Sequence, residues 1–245
     1  MLFKNILIYF CLMFFSPLCW AGNVHEYHLK NGLTVLVKED HRAPVVISEI
    51  WYKVGSSYEP NGITGISHAL EHMMFRGTKK FGPGVLEKIV SENGGEQNAF
   101  TDSDFTAYYQ KFSADKLAIS FELEADRMRN LSLRPQDFLK EIQVVMEERR
   151  LRTEDNPSSL LNEALMATAF MSSPYRHPVV GWMNDLQNMK AADARDWYRS
   201  WYAPNNATVV ISGDVDPQHI LKVVQKYYGA IAMHELPVRK PQIEP

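Results

Sequence analysis

The order in which two hydrophobic periods occur along the chain limits its fold more than any other feature. Apolar residues alternate with period two in EYHLKNGLTVLVKED, where Asn31-Gly32 marks a turn between two strands. PVVISEIWYKVG, rich in β-branched residues, predicts a third strand. Helical spacing follows: Gly62 to Gly77 predicts one helix, and GVLEKIVSENGG another that stops at Gly94-Gly95. Two further strands are expected around 97–101 and 105–112. Ser113 is positioned to cap a long helix through ADKLAISFELEADRMRN, and Pro135 to open the next, QDFLKEIQVVMEERRLR. Shorter helices over 158–171 and 191–202, a strand in NATVVISGDV and a last helix over 217–229 complete the pattern. Strands come in early hairpins and helices in later runs, without strict alternation. That order predicts an α+β fold with a largely antiparallel sheet rather than a doubly wound one.

The chain has 245 residues, 45% hydrophobic and 22% charged, enough apolar material for one sizeable core. A formal net charge of −3 without long charge runs excludes nucleic acid as an expected partner. The N-terminus is different in kind. Lys4, the apolar run from Ile6 to Phe15, Pro17 and the small residue Ala21 follow the order of a secretory signal, assigned here to residues 1–21. A retained anchor is the alternative, but the apolar run is short for a membrane span. Export to the periplasm is expected, with no membrane association after cleavage. Cys11 and Cys19 both lie in this segment, so the mature chain would have no disulfide and no cysteine nucleophile. The proline-rich tail LPVRKPQIEP, residues 236–245, has linker composition.

The stretch GISHALEHMMFRG contains His68, Glu71 and His72. At roughly 100° per residue the three share one side of a helix, and Ile66, Ala69, Leu70, Met73 and Met74 lie on the other. Histidines at i and i+4 can bind one zinc ion, and Glu71 stands beside them. Catalytic zinc usually has three protein ligands and an open position for water, whose proton a nearby carboxylate can take. Spacing alone fits the polar face of an ordinary helix equally well.

A third ligand would have to come from elsewhere. In KEIQVVMEERRLR, Phe138, Ile142, Val145 and Met146 define a buried side. Glu147 then points to water. Glu141 and Glu148, about two turns apart, share the edge of the packed face. That edge suits one ligand and one supporting carboxylate, although helix-surface glutamates also serve simply as local ion pairs.

With these residues in order, the chain resembles the pitrilysin/insulinase family of zinc metallopeptidases, which includes the mitochondrial processing peptidases. His68-x-x-Glu71-His72 matches the inverted zinc motif H-x-x-E-H. Glu148 matches the family's glutamate on a later helix, and Glu141 a supporting glutamate before it. NGGEQNAFTDSDFTAYY, PYRHPVVGW and WYAPNNATVVISGDVDP are similar to further family segments. The resemblance implies a two-layer α+β sandwich of one sheet against helices over residues 24–235. It implies one Zn2+ held by His68, His72 and Glu148, with Glu71 as general base. It also implies that Asn98 and Ala99 hold an extended peptide by strand addition, so that the substrate is a peptide or unfolded polypeptide.

Family enzymes are clamshells of two related halves, and the second half supplies an arginine and a tyrosine that hold the substrate carbonyl. This chain has room for one half. The expectation is therefore the catalytic half of an exported zinc endopeptidase, joined through residues 236–245 to a missing second half or served by a partner subunit. The alternative is a non-catalytic subunit that binds peptides or supports a partner.

Overall fold

The computed structural model describes residues 24–240 and 242–245. The expected signal sequence, with Cys11 and Cys19, lies outside the described residues. In chain order come β1 (Val24–His28), β2 (Thr34–Glu39), β3 (Val45–Tyr52), α1 (Ile66–Met73), α2 (Val85–Glu92), β4 (Glu96–Thr101) and β5 (Thr106–Ser113). Then follow α3 (Leu117–Asn130), α4 (Pro135–Arg149), α5 (Pro157–Ala169), α6 (Met183–Asn188), α7 (Ala191–Trp201), β6 (Ala207–Gly213) and α8 (Pro217–Tyr228). The architecture is α+β, one six-stranded sheet in the order β1-β2-β6-β3-β5-β4 against helices.

The first hairpin turns at Gly32, whose φ of 84° is a conformation that side chains with a Cβ disfavour. Asn31 next to it is buried. Its amide donates to the carbonyls of Tyr228 (2.8 Å) and Ile231 (2.9 Å), which fastens the turn to the end of α8. The sheet is antiparallel except where β6 returns beside β2 in parallel register, Val35 opposite Val209. β6 therefore separates β2 from β3, and this late strand lies near the middle of the sheet.

Alternation gives the sheet one covered face. In β3, Val46, Ser48, Ile50 and Tyr52 are buried, while Val45 and Ile47 are exposed. α3 packs over β3 and β5, α8 over β2, and α1 over β4 and β5. Burying side chains such as Phe121, Ile50 and Leu70, all essentially inaccessible, contributes about 1.5–3 kcal/mol each. On the other face Trp51 packs with Phe100 and Phe105.

Most expected elements form where the periodicity put them. Pro135 does open α4, as the first helical residue. Ser113, however, does not cap the long helix. A separate turn at Ala114–Lys116 intervenes, and the serine hydroxyl donates to Asp115 instead (2.6 Å). α6, too short for a periodic signal, is an addition. Beyond α8 the described residues of the tail have no regular secondary structure, yet they lie against the body. Arg239 donates to the Ser57 carbonyl (2.8 Å) and sits over the Tyr58 ring, and Glu244 accepts from the backbone of Met171, Ser172 and Ser173. Among the described residues no helix is long and apolar enough to cross a membrane.

Candidate metal centre

Helix α1 is anchored firmly at its start. Gly65 takes a φ of 85°, and a Cβ there would meet the Val180 carbonyl oxygen at 2.4 Å, so a backbone crossing with Gly181 excludes any side chain. The first-turn N–H groups, which no helix can satisfy internally, go to a buried carboxylate: Glu59 accepts from Gly65 (2.6 Å) and Ser67 (2.8 Å). Asp185 at the start of α6 accepts from Gly62, Thr64 N and the Thr64 hydroxyl, the last at 2.6 Å. Two acids far apart in sequence thus fix the segment entering the helix. Its apolar side, Ile66, Ala69, Leu70 and Met73, enters the core.

The other side of α1 faces α4 rather than water. His68 Nε2 lies 3.6 Å from Glu148 Oε1, and His72 Nε2 lies 3.4 Å from Glu148 Oε2. Donor atoms of His68, His72 and Glu148 all fall within 4.8 Å of one another. Ligand atoms about 2.0–2.2 Å from a tetrahedral ion are separated by about 3.3–3.6 Å, so these donors fit zinc. The chemistry of the set agrees, since two imidazoles and a carboxylate on one side form a zinc-type group. His68 Nδ1 is buried without a hydrogen-bond partner among the described residues. The ring's polar contact is therefore at Nε2, toward Glu148.

Protonation fits the same picture. Burial, aided by the neighbouring His72, lowers the His68 pKa to about 4, so its ring is neutral and able to ligate near pH 7. Burial alone would also lower His72. The hydrogen bond and charge of Glu148, with Glu71 and Glu141 nearby, outweigh it and raise the pKa. The surrounding carboxylates thus favour a proton on His72. A cation held by His68, His72 and Glu148 would balance the same charge, with His72 ligating in its neutral form. The hydrogen bond with His72 lowers Glu148 in turn.

Glu141 is buried behind these candidate donors, with Oε2 3.5 Å from His72 Nδ1 and Oε1 2.5 Å from Arg76. This carboxylate holds the ring of His72 from its far side and is itself held by Arg76. Carboxylates in that position typically account for 10–100-fold in metal affinity. Glu141→Ala is expected to weaken zinc binding by about that factor while preserving stoichiometry at saturation, as measured by chelator competition. Glu147, as its helix phase predicts, is exposed and pairs with Arg150 (2.8 Å).

Glu71 lines the same cleft, a cavity of about 980 Å³, close to the donors. Its Oε2 accepts a hydrogen bond from Thr101 Oγ1 at 2.5 Å. Burial raises its pKa, and the threonine hydroxyl opposes the rise. Asn98 and Ala99 sit on β4, one of the two edge strands of the sheet, and also line the cleft. The Ala99 N–H donates to Asn98 Oδ1 (2.8 Å).

Several residues that sequence reasoning passed over shape this cleft. Arg149 is buried. It makes paired bonds to Glu163 of α5 (2.8 and 2.9 Å) and donates to the Gly181 carbonyl (2.9 Å), tying the end of α4 to the crossing beneath α1. Arg152 reaches Glu148 at 2.7 Å from a wider helical turn at Arg150–Glu154. The Arg149 pairings have no local signal, because their partners are set by how the chain folds back, whereas Arg152 and Glu148 stand four residues apart, at ordinary helical pairing distance. His177, expected in a structural loop, is buried with Nε2 3.0 Å from Asn61 Oδ1.

Residues 34–181, which contain His68, Glu71, His72, Glu141 and Glu148, match the family model "Insulinase (Peptidase family M16)". Residues 188–245 match "Peptidase M16 inactive domain". The chain is 39% identical over 204 residues to the zinc protease PqqE of Helicobacter pylori, covering 83% of this chain and 46% of that protein. It is 31% identical over 206 residues to human cytochrome b-c1 complex subunit 1, covering 83% of this chain and 42% of that one. The crystal structure of a protease from Helicobacter pylori superposes with a TM-score of 0.87 at 36% identity, over 91% of this chain and 55% of that one. The chain thus spans about half the length of the relatives it matches. An inverted zinc motif whose donors converge with a glutamate of α4, in a fold shared with these proteins, makes this chain a member of the insulinase (peptidase M16) family.

Proposed function

We propose that this chain is the catalytic half of an exported zinc metalloendopeptidase that hydrolyses peptides or unfolded polypeptides. Residues 24–235 would form the peptidase domain, and residues 236–245 would lead to a second half. The observation that supports this most is the convergence of the His68, His72 and Glu148 donors on one side of a cleft with Glu71 beside them. A zinc ion held there would supply Lewis acidity to a water and to the scissile carbonyl.

The chain's own residues would do the rest. The edge strand β4 accepts an extended peptide as an added strand, with affinity from main-chain bonds and little sequence readout. Asn98 and Ala99 contribute there, and the bond between them would yield to the incoming backbone. Glu71 takes a proton from the attacking water and delivers it to the departing amine nitrogen. Its raised pKa makes it a better acceptor near neutral pH than an ordinary glutamate. A non-catalytic role would be expected to go with loss of a ligand or of the base, and all four residues are present.

The arginine and tyrosine side chains that line the cleft are already engaged. Arg76 pairs with Glu141, Arg152 with Glu148, Arg176 donates to the Met171 carbonyl, and the Tyr175 hydroxyl donates to Asp104. Stabilisation of the developing oxyanion, often worth about 10²–10³ in rate, is therefore assigned to a second half. The test is cleavage of an unstructured peptide by the zinc-loaded chain, alone and with a homologous second half tethered after Pro245 or supplied separately. The expected result is a rise in kcat/KM of about 10²–10³ with one zinc per chain in both. Equal turnover in both would mean that the single domain is self-sufficient.

A further inference from the structure

Resting on the reading of Glu71 as proton acceptor, we propose that Thr101 is a positioning residue for that base, holding one carboxylate oxygen so that the other meets the attacking water. Thr101 is the last residue of β4, and its hydroxyl donates to Glu71 Oε2 at 2.5 Å. Glu71 Oε1 has no hydrogen-bond partner among the described protein groups, and the side chain opens on the cleft. A glutamate carries several rotatable bonds, so a carboxylate without this contact samples orientations in which neither oxygen faces the water.

The hydroxyl comes from a rigid part of the molecule. Beyond Thr101 the hairpin between β4 and β5 is pinned to the chain after β3. Ser56 N donates to the Asp102 carbonyl (3.1 Å), Ser57 N to the Ser103 carbonyl (2.8 Å), and the Ser57 hydroxyl to Asp104 (2.7 Å). Gly55 lies so close that a Cβ would meet the Asp102 oxygen at 2.1 Å. Thr101 itself pairs with Thr106 across the hairpin, and the Thr106 hydroxyl donates to the Val54 carbonyl (2.9 Å). The strand that an incoming peptide would extend is thus the strand that orients the base. Substrate register and proton acceptor share one element, and the threonine keeps its own proton throughout.

Thr101→Val preserves the branched shape and the strand but removes the donor. Assayed where the parent protein cleaves an unstructured peptide, it is expected to lower kcat roughly 10–100-fold, the scale of one hydrogen bond to a charged group. KM and zinc affinity by chelator competition should stay at parental values, and Thr101→Ser should restore most of the rate. In a Glu71→Gln background the same change should cost nothing further, because Thr101 acts through Glu71. A crystal structure of zinc-loaded Thr101→Val should show the Glu71 carboxylate turned from its present orientation. Parental kcat in Thr101→Val, beside a Glu71→Gln protein that has lost activity, would overturn this proposal and leave the base assignment standing. Parental activity in Glu71→Gln would sink the base assignment itself and this proposal with it. Zinc loss in Thr101→Val, or a serine variant no better than valine, would also overturn it, since the residue would then serve only the strand.

Discussion

Glu71→Gln is expected to leave zinc bound while peptide cleavage falls by about 10²-fold or more. The amide is nearly isosteric with the carboxylate, and its oxygen can still accept the hydroxyl bond that Thr101 now gives to Oε2. Glu71 is not among the grouped donors, so the proposed ligand set is untouched. The substitution removes only the ability to take a proton. Burial bears on the same step: it raises the Glu71 pKa, so the carboxylate takes up a proton more readily than an exposed glutamate, and a neutral amide in its place cannot. The measurement is turnover on an unstructured peptide at equal zinc loading, with zinc counted by atomic absorption. Turnover near the parental value would assign the proton to another group.

Alanine at His68, His72 or Glu148 is expected to abolish zinc binding, and with it activity. Three protein ligands leave no redundancy, and two would leave a site open on half its positions. Because Glu148 approaches both imidazoles, at 3.6 and 3.4 Å, its removal also takes away the charge that balances a cation. Glu147→Ala is the control. That residue is exposed and paired with Arg150, a contact worth about 0–1 kcal/mol, so zinc content should remain at one per chain. Zinc retained by Glu148→Ala and lost by Glu147→Ala would reverse the ligand assignment on α4.

The contrast between these neighbouring glutamates explains why much of the centre was legible in the sequence. Which side of a helix a residue occupies follows from its spacing to Phe138, Ile142, Val145 and Met146, all buried. Helical phase thus sent Glu147 to water and Glu141 and Glu148 to the packed edge, and the same reasoning set His68, Glu71 and His72 together on α1. Phase does not say what lies opposite. The polar side of α1 could have faced solvent, and only its packing against α4 turns two local patterns into one donor set. Ser113 shows the limit within a single element. A hydroxyl before a helical run has a capping signal, but the turn at Ala114–Lys116 displaced the helix start and sent the hydroxyl to Asp115.

The sequence by itself determined the elements whose periodicity is local: the strands with alternating burial, the amphipathic helices, the metal motif and the α+β class. Tertiary structure alone decided the pairings between residues distant along the chain. β6 inserts between β2 and β3 in parallel to β2. Glu59 and Asp185 satisfy the approach to α1, Arg149 reaches Glu163 and Gly181, and Thr101 reaches Glu71. The Phe75 and Tyr108 rings, both distant along the chain, close over Arg127, which is 1% exposed. The physical reason is the same in each case. A backbone hydrogen-bond pattern repeats every few residues and leaves a trace in composition, whereas a buried polar group needs only some partner within reach, and which partner arrives is set by how the layers pack.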